Sequence, residues 1–421
     1  MYQEPAYERC YDVLVIGAGL AGLFTALIIN KMGLQVAIVA RGVGAIAVST
    51  GFIDVLKQTP DGRPTDDLAE AFARLHSRFP EHPYAKTGWD KLTAAEDYLL
   101  ELVQPGGLKY VRPYANANVQ VVTALGLLKP THLLPESAAV AGALQNKRVA
   151  VISFKGYSDF NAALVQSNLS QLLPSTQTSW TSMGLPWKKG NEPPGNPRGP
   201  AIARWLDDEE GREEFLKCLK EGLPRREAPQ IVLLPAVLGL RYHAAVWNMI
   251  REALGIEVLE VPTLPPSVPG LRLFNALRTE LDSRRMHLNL NGNVIRGSTS
   301  TGRVEYVDLA SEGKVVRYRA KYFVLAAGGI YGGGLIERDG AVWEPLFNSP
   351  LDGECYLNFQ EFPFGTGVVV EKDLRVKGFT NLLACGRILG GHNPYSEGCG
   401  NGVALATAWM AGATIKGEAV G

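Results

Sequence analysis

Two apolar segments near the start of the chain enclose a glycine-rich turn. The run Val13–Ile16 leads into Gly17, the segment after Gly22 is rich in alanine and leucine, and residues 35–40 form a second, largely apolar run. Short apolar runs bounded by glycine are typical of buried strands, and a longer apolar segment between them is typical of a helix. The pattern therefore predicts a strand, a glycine turn, a helix and a second strand.

The spacing of the glycines gives this turn a mechanism for binding phosphate. Gly17 permits a sharp turn out of the strand, Gly19 leaves room for a phosphate beside the backbone, and Gly22 allows the helix to pack closely. The N–H groups and the dipole at the helix start favour an anion. We therefore predict a nucleotide or flavin phosphate site, with a purely structural turn as the alternative.

An arginine stands where dinucleotide-binding folds usually carry an acid. Such folds place an acidic residue about 20 positions after the glycines, where it accepts hydrogen bonds from the adenosine ribose. This chain has Arg41 at that position. Because a guanidinium cannot accept those bonds, we expect FMN as the cofactor, or FAD bound in an altered way. A solvated arginine is the alternative.

Small residues follow two predicted strands. Ser49, Thr50 and Gly51 lie in the loop after the second strand, and Gly328 follows the apolar run 322–326. In doubly wound sheets, ligands bind where the strands lead into such loops. We therefore expect these four residues to contact the cofactor, with an ordinary crossing loop as the alternative for the first three.

A last glycine-rich segment precedes the final predicted helix. A short apolar strand ends at Gly386, and the helix is predicted to begin at Gly400, Asn401 and Gly402. Free N–H groups and the positive dipole end of that helix would favour the negative charge on a reduced flavin ring. We expect these residues to contact the flavin; a glycine turn before a buried helix is the alternative.

The alternation of strands and helices begins again in the middle of the chain. Residues 147–156 and 231–240 have the pattern of strands that lead into helices. We therefore predict an α/β protein with a doubly wound, Rossmann-like flavin-binding domain, formed by residues 1–144 and 266–421. An inserted α/β cap domain at 145–265 interrupts it.

Cationic side chains in the predicted cap domain suit a phosphorylated substrate. Arg204 and Arg241 are the candidates for the substrate site, and Lys155 and His243 are further candidates for binding an anion. Arginine binds phosphate through two parallel hydrogen bonds, and clefts between domains are common substrate sites. Solvated surface charge is the alternative for each residue.

One histidine lies inside a glycine segment of the flavin type. His392 is therefore the candidate base for the proton of an oxidised hydroxyl group, and its neighbour Tyr395 is a second candidate proton carrier. A loop histidine that faces solvent is the alternative. His76 and His82 flank a Phe-Pro segment without a paired ligand nearby, so we expect both at the surface.

Composition limits the classes of partner and site. The 421 residues carry 42 Lys plus Arg and 42 Asp plus Glu, so no net basic charge predicts binding to nucleic acid. The 5 cysteines contain no CxxC pair, which argues against a metal or iron-sulfur site. No segment is typical of a membrane helix or a secretory signal, so we expect a cytoplasmic protein.

Several segments together resemble a known family. They are GAGLAG at 17–22, VSTGFIDVL at 48–56, PTLPPSVPGLRL at 262–273, FVLAAGGIYGGGL at 323–335 and GRILGGHNPYSEGCGNGVA at 386–404. In this order they are similar to the B subunits of the anaerobic glycerol-3-phosphate dehydrogenases, over about residues 10–415. The glycine motifs are shared with succinate dehydrogenase and fumarate reductase flavoproteins, whereas PTLPPSVPGLRL is more specific.

The resemblance implies a subunit of a glycerol-catabolic enzyme of anaerobic respiration. Such complexes oxidise sn-glycerol 3-phosphate to dihydroxyacetone phosphate. They combine a catalytic FAD-containing A subunit, a B subunit assigned FMN, and a membrane-associated iron-sulfur C subunit that passes electrons to quinone, with fumarate or nitrate as terminal acceptor. The resemblance thus implies a flavin electron relay, held at the inner face of the cell membrane by its partner.

Two other functions stay open from the sequence. The chain could be an independent flavin oxidoreductase of the fumarate reductase type, which predicts activity without partners and cap arginines that face the ring. It could also be a structural subunit without a cofactor. That version predicts a colourless protein that takes up no flavin.

Overall fold

The computed structural model of the chain describes residues 4–185, 197–223, 227–352 and 364–419. The strands are β1 Tyr7–Ile16, β2 Val36–Val39, β3 Tyr110–Val111, β4 Val119–Val122, β5 Leu128–Thr131, β6 Leu134–Pro135, β7 Arg148–Phe154, β8 Gln177–Met183, β9 Ile231–Pro235, β10 Glu257–Val261, β11 His287–Asn289, β12 Asn293–Ser300, β13 Arg303–Ser311, β14 Lys314–Leu325, β15 Ile336–Arg338, β16 Ala341–Trp343, β17 Leu351–Asp352, β18 Gly367–Val368 and β19 Leu382–Ala384. The helices are α1 Leu20–Asn30, α2 Leu68–Arg78, α3 Pro83–Thr87, α4 Trp89–Val103, α5 Ala141–Leu144, α6 Ala162–Leu172, α7 Gly199–Asp207, α8 Glu209–Gly222, α9 His243–Leu254, α10 Val268–Ser283, α11 Pro394–Glu397 and α12 Gly400–Ala419. Short 3₁₀ turns cover Gly44–Val48, Ile330–Gly332 and Gly386–Ile388.

The chain folds into two compact units. The first unit combines Met1–Ile46, Ile53–Leu102 and Leu277–Gly421. The second combines Ala47–Phe52 with Val103–Ala276. The first unit is therefore assembled from three separate segments, whereas the second is almost continuous in sequence.

The second unit is wider than the insert suggested at 145–265. Residues before 145 join it through backbone hydrogen bonds: the N–H of Ala139 donates to the carbonyl of Glu260 over 2.9 Å, and the N–H of Glu260 donates to the carbonyl of Ser137 over 2.6 Å. The start of α10 joins it as well, because Val268 belongs to its apolar core. The roles of the two units as cofactor domain and cap domain stay predictions.

The first unit is built on a mixed sheet. Its strand order is β11-β2-β1-β14-β13-β12, and β19 pairs with the end of β14. Strands β11, β2, β1, β14 and β19 are parallel, whereas β12 and β13 are antiparallel. Ile16 pairs with Val39 on one side and with Leu325 on the other. Strands β1, β2 and β14 therefore end at the same edge of the sheet.

The predicted strand, glycine turn, helix and second strand are confirmed. Val13, Leu14 and Val15 in β1 have no exposed surface, as expected for a strand in the middle of a sheet. Every residue of α1 from Leu20 to Ile29 is buried. A helix that is apolar all round belongs in a core, and here it packs against α12.

The second unit is built on a parallel sheet of its own. Its strand order is β10-β9-β7-β8. Parallel sheets are covered on both faces, so their strands are continuously apolar. β9 is buried at every position, and β7 is buried from Val149 to Phe154. The two strands predicted within 147–156 and 231–240 are therefore confirmed.

Candidate functional site

The glycine turn after β1 is closed by packing at two of its three glycines. Gly17 has a φ of +119°, and a Cβ there would overlap the carbonyl oxygen of Ala326. A Cβ at Gly22 would overlap the carbonyl oxygen of Gly17. Among the described residues, no atom lies within 4 Å of the Cβ position of Gly19. Gly17 and Gly22 are therefore required by the fold, whereas Gly19 leaves open space.

That open space lies at the start of α1. Gly19 is the residue before the helix, it has no side chain to cap the helix, and the first turn contains no acidic residue. The first N–H groups of a helix have no partner within it, and the dipole adds positive potential there. The arrangement fits a phosphate group, as the glycine spacing predicted.

The turn after β2 passes beside Gly19. Gly44 has a φ of +67°, and a Cβ there would lie 3.1 Å from the Cα of Gly19. Arg41 is exposed, and it forms no ion pair with any residue in the described part of the chain. It borders an open depression that Asn291 and Lys314 also line. The position expected to carry an acid therefore presents a solvent-accessible cation.

Gly328 lies close to the first glycine turn because β14 pairs with β1. The N–H of Ala326 donates to the carbonyl of Ile16 over 2.8 Å, and the carbonyl of Ala326 is the one that Gly17 approaches. Gly328 follows with a φ of +75°. The structure therefore brings these two predicted glycine segments together at one edge of the sheet.

Gly386 has a packing role. Its φ is +75°, and a Cβ there would lie 2.7 Å from the Cβ of Ala21. Its N–H donates to Oγ1 of Thr407 over 2.9 Å. The close approach to α1 explains this glycine, and its N–H is already used within the protein.

The start of α12 is partly used by the protein itself. The N–H of Gly402 donates to the carbonyl of Asp54 over 3.0 Å, and a Cβ at Gly402 would overlap the hydroxyl of Tyr84. The expectation that Gly402 offers a free N–H to a flavin is therefore wrong. Gly400 and Asn401 are partly exposed, and their contact with a cofactor stays a prediction.

Ser49, Thr50 and Gly51 belong to the second unit. Oγ of Ser49 accepts a hydrogen bond from the N–H of Gly51 over 3.3 Å, and the hydroxyl of Tyr110 donates to the carbonyl of Gly51 over 2.6 Å. Gly51 has a φ of +74°, and a Cβ there would lie 3.0 Å from Pro269. Local turn geometry thus explains the small residues, and their contact with a cofactor stays a prediction.

His392 is buried, with 3% of its surface exposed. Burial, and then the nearby His82 and Arg387, hold the pKa of its imidazole well below the usual value, which the backbone of Gly390 offsets only in part. Among the described residues, no hydrogen bond of good geometry reaches either ring nitrogen. The ring is therefore neutral, and the alternative of a solvent-facing loop histidine is wrong.

Arg387 is a cation that the sequence reasoning missed. Its guanidinium carbon lies 3.3 Å from the Cβ position of Gly329, and its Nη2 donates to the carbonyl of Phe364. Its Nη1 is buried and has no partner in the described ranges. Tyr395 is 58% exposed, and its ring lies 4.2 Å from that of Phe364. A signal existed, because the arginine directly follows Gly386, the glycine at which the sequence predicted a strand to end.

His82 is buried, so its predicted surface position is wrong. Only 1% of His82 is exposed, whereas His76 is exposed as expected. Nδ1 of His82 accepts a hydrogen bond from the N–H of Tyr84 over 3.0 Å, and its Nε2 lies 2.8 Å from Oε2 of Glu397. The partner lies 315 positions away in the sequence, and no local signal predicted the contact.

The cationic candidates in the second unit divide into exposed and buried residues. Arg204, Arg241 and Lys155 are exposed, and the guanidinium of Arg241 lies 5.3 Å from the ring centre of Tyr242. Within the described ranges, their side-chain charges form no ion pair. Binding of a substrate by Arg204 and Arg241 stays a prediction.

His243 differs from these three residues because it is buried. Its Nδ1 donates to the carbonyl of Leu238 over 2.9 Å, and its Nε2 lies 3.2 Å from the hydroxyl of Ser137. Burial, together with the charge of Arg272, lowers the pKa of His243 to about 4. The ring is neutral and enclosed, so the expectation that it binds an anion is wrong.

Glu260 anchors the group around His243. Nη1 and Nη2 of Arg272 donate to its two oxygens over 2.7 and 2.9 Å, and the hydroxyl of Ser137 donates over 2.8 Å. The N–H of Leu238 donates over 2.9 Å. Burial alone would raise the pKa of Glu260, but Arg272 overrides that effect and lowers it to about 2. Glu260 and Arg272 therefore form a buried ion pair, and both carboxylate oxygens of Glu260 accept hydrogen bonds.

Comparisons with known proteins define the family. The chain matches the family model described as "FAD binding domain" over residues 12–296. The B subunit of the anaerobic glycerol-3-phosphate dehydrogenase of Yersinia pseudotuberculosis is 33% identical over 97% of this chain and 98% of that protein. The B subunit of the same enzyme from Pasteurella multocida is 31% identical over 97% and 99%. The chain belongs to this B-subunit family. That membership confirms the resemblance seen in the sequence motifs.

The family match also bears on the fold and the cofactor. The matching model is an FAD binding domain, which confirms the predicted α/β, Rossmann-like class and gives no support to FMN. A solved structure described as the open conformation of a flavocytochrome c3 fumarate reductase is similar with a TM-score of 0.45 and 10% identity, over 99% of this chain and 79% of that chain. No helix in the described ranges has the length and apolarity needed to cross a membrane.

Proposed function

We propose that this chain is the flavin-binding B subunit of an anaerobic glycerol-3-phosphate dehydrogenase complex and that its cofactor is FAD. The observation that carries the proposal is the open space at Gly19, in a turn that Gly17 and Gly22 otherwise close by packing. Of the three glycines in this turn, Gly19 is the one for which the described residues give no packing reason to lack a methyl group. Close approach of a phosphate to the backbone supplies that reason.

Three groups in the first unit would hold the cofactor. The N–H groups at the start of α1 would bind its phosphates, and Arg41 would add positive charge where the usual acid is missing. The unpartnered Nη1 of Arg387 is a buried donor beside Gly329 that suits a polar atom of the ligand. When bound, a flavin can accept a pair of electrons and release them one at a time.

The state of His392 supports an electron-relay role. A general base must reach the hydroxyl proton of the substrate within hydrogen-bond distance, yet His392 is 3% exposed. We therefore assign the oxidation of sn-glycerol 3-phosphate to the A subunit, and electron transfer toward the iron-sulfur C subunit and quinone to this chain. The C subunit would hold it at the inner face of the membrane. In the assembled complex, His392→Gln should leave turnover unchanged.

The test of cofactor binding compares two glycines that have open space. Gly19→Ala adds a methyl group where the phosphate would approach, whereas Gly142→Ala adds one in helix α5, and neither Cβ position has an atom within 4 Å in the described part of the chain. We expect Gly19→Ala to lower flavin affinity by about tenfold or more, which corresponds to about 1.4 kcal/mol. Gly142→Ala should retain the flavin.

The measurement is the flavin released on denaturation, identified by chromatography and absorbance. FAD is expected from the wild-type chain. FMN would contradict the cofactor assignment, and a wild-type chain that takes up no flavin even after reconstitution would leave a structural subunit as the better account. Turnover of a small acid by the chain alone would favour an independent oxidoreductase.

A further inference from the structure

One edge of the sheet in the second unit is open. β8 lies at the end of the strand order β10-β9-β7-β8, and in the described part of the chain it pairs with β7 alone. All 7 of its residues pair with β7 without a shift of register. A sheet edge presents a row of N–H and C=O groups that a strand of another chain can extend. β8 is long and regular enough to accept such a strand.

The other edges of the two large sheets are covered, short or irregular. At the opposite edge of the same sheet, β10 exchanges backbone hydrogen bonds with the segment 137–139. In the first unit, β11 and β19 have 3 residues each, and β12 carries Arg296 and two register irregularities. Short edges, charges and bulges are the devices that prevent pairing with another chain. β8 has none of them, because its sequence QTSWTSM contains no charged residue and no proline.

The hydrogen bonds to β7 show which residues of β8 point their backbone groups outward. The N–H of Gln177 donates to the carbonyl of Lys147 over 3.0 Å, and the carbonyl of Met183 accepts from the N–H of Lys155 over 2.8 Å. Gln177 and Met183 therefore face β7. Because this direction alternates along a strand, the residues of the opposite parity point their N–H and C=O groups away from the sheet. These outward-pointing residues are Thr178, Trp180 and Ser182.

Helix α6 uses a small part of this outward row. Nε2 of Gln166 donates to Oγ1 of Thr178 over 2.9 Å and, less directly, to the carbonyl of Thr178 over 3.4 Å. A carbonyl oxygen has two lone pairs, so it can still accept from another chain. Within the described ranges, no other hydrogen bond uses the outward backbone groups of Thr178, Trp180 or Ser182. The row is therefore available to a further strand.

Large apolar side chains are exposed beside this edge. Trp180 is 51% exposed, and its side chain lies on the same face of β8 as that of Thr178, which contacts α6. Leu164 and Leu172 of α6 are exposed as well. Tryptophan is a typical anchor of protein interfaces and is uncommon as a solvated surface residue. The surroundings of β8 therefore have the composition of a contact surface.

The sequence of β8 is complementary to a second copy of itself. Hydroxyl residues flank Trp180 symmetrically, with Ser179 and Thr181 next to it and Thr178 and Ser182 beyond them. A two-fold axis at Trp180 gives an antiparallel pair in which the tryptophans of the two copies face each other. Position 178 of each copy then faces 182 of the other, and 179 faces 181. Opposed hydroxyl and aromatic pairs stabilise sheets, and no like charges meet.

The same axis satisfies the backbone groups. In an antiparallel ladder, directly opposed residues alternate between pairs that exchange two hydrogen bonds and pairs that exchange none. With the axis at Trp180, the outward-pointing residues form the hydrogen-bonded pairs: Trp180 with its copy, and Thr178 with Ser182. A shift by one residue would oppose outward-pointing groups to groups that already bond to β7. Side chains and backbone therefore favour one register.

We propose that β8 pairs antiparallel with β8 of a second copy of this chain, with the two-fold axis at Trp180. The four-stranded sheet of the second unit then continues into the sheet of its partner. The inference goes beyond the proposed function and does not rest on it, because it concerns neither the glycine turns nor a flavin. A complex assembled in this way contains two copies of the B subunit.

The first experiment measures the mass of the full chain in solution. Sedimentation velocity over a range of protein concentrations should give twice the mass of one chain, with dissociation on dilution. Trp180→Lys places two like charges at the axis, and lysine on an edge strand opposes pairing, so the dissociation constant should rise by about tenfold or more. Trp343→Lys is the matched control and should leave the dimer intact, because Trp343 is 47% exposed in β16 of the first unit.

The second experiment tests the register. In Trp180→Cys, the two introduced sulfurs face each other across the axis, so mild oxidation should yield a disulfide-linked dimer on a non-reducing gel. Gln177→Cys is the control on the same strand. Residue 177 faces residue 183 of the other copy and lies about 20 Å from its own counterpart, so this variant should not cross-link. The wild-type chain, whose described cysteines are free, gives the background.

Several outcomes would overturn the inference. They are a chain that stays monomeric at every concentration, a dimer that Trp180→Lys leaves intact, and cross-linking of Gln177→Cys as efficient as that of Trp180→Cys. If the chain alone is monomeric and Trp180→Lys abolishes its binding to another subunit, the edge serves a different partner and the assignment to a second copy is wrong. Flavin content does not enter these measurements, so the proposed function can fail separately.

Discussion

Each unit buries a glutamate beside a histidine, and the two glutamates differ in whether a cation binds them. Glu260 in the second unit receives two charge-assisted hydrogen bonds from Arg272, which lower its pKa to about 2. Glu397 in the first unit receives its bonds from the ring of His82, a backbone N–H and a thiol. The presence of a nearby histidine therefore does not indicate which groups donate hydrogen bonds to a buried glutamate. The difference lies in the cation: Glu260 forms an ion pair with Arg272, whereas the described donors to Glu397 include no Lys or Arg side chain.

The two histidines also carry their protons on opposite nitrogens. The carbonyl of Leu238 accepts the proton on Nδ1 of His243, which leaves Nε2 as the lone-pair nitrogen. The N–H of Tyr84 occupies Nδ1 of His82, which leaves the proton on Nε2 for Glu397. A single backbone group thus selects the tautomer in each case. Only His82 is set to donate to its acid.

The largest effect is expected for Glu260→Gln. This change leaves the charge of Arg272 buried without its carboxylate, which should lower the free energy of unfolding by about 3–5 kcal/mol. Urea unfolding at pH 7 measures the loss. Glu257→Gln is the matched control: Glu257 pairs with Arg251 at 41% side-chain exposure, and such surface pairs contribute about 0–1 kcal/mol. Equal losses in the two variants would contradict the assigned role of Glu260.

A pH effect of intermediate size is expected from His243. The pKa of His243 is about 4 in the folded protein, whereas the ordinary value of a histidine is 6.5. Between these two pH values the unfolded chain therefore binds a proton that the folded chain does not bind. Stability should therefore be unaffected above pH 6.5 and should fall by about 3 kcal/mol as the pH drops to about 4. Urea unfolding at several pH values should show a flatter profile for His243→Gln. The exposed-histidine control, His76→Gln, should retain the wild-type slope.

The smallest effect is expected for Glu397→Gln. No buried cation is left unpaired, but the amide cannot accept from every donor that the carboxylate serves, which should cost about 1–2 kcal/mol. The same urea unfolding measurement applies. A loss as large as that of Glu260→Gln would contradict the contrast drawn between the two buried glutamates.

Local sequence signals predicted the parts of the fold that depend on neighbouring residues. The turn around Gly17 and Gly22 follows from spacing alone, because the required backbone geometry is set within a few positions. The same kind of signal led us to expect cofactor contacts at Gly386 and Gly402. In the structure the N–H groups of these two residues donate to Thr407 and Asp54. A glycine allows close approach of a ligand or of the protein itself, and the sequence does not distinguish the two.

The buried polar groups were beyond local reasoning for a different reason. His82 and Glu397 are separated by 315 positions, and Ser137 and His243 by 106, so neither pair leaves a pattern along the chain. Polar residues are usually exposed, and that prior led to the wrong placement of His82. Arg387 was closer to detection, because its place after Gly386 parallels that of Arg41 after β2.

The three-segment construction of the first unit has a consequence for synthesis. Every residue of the second unit has been made once the ribosome passes Ala276, when β1 still lacks its neighbour β14 and α1 still lacks α12. We therefore expect the second unit to fold during translation. The apolar strand β1 should stay unpaired during that time and bind chaperones. Ribosome-bound chains arrested with residue 276 just outside the exit tunnel should resist protease within 103–185, 197–223 and 227–276 and remain sensitive within 4–46.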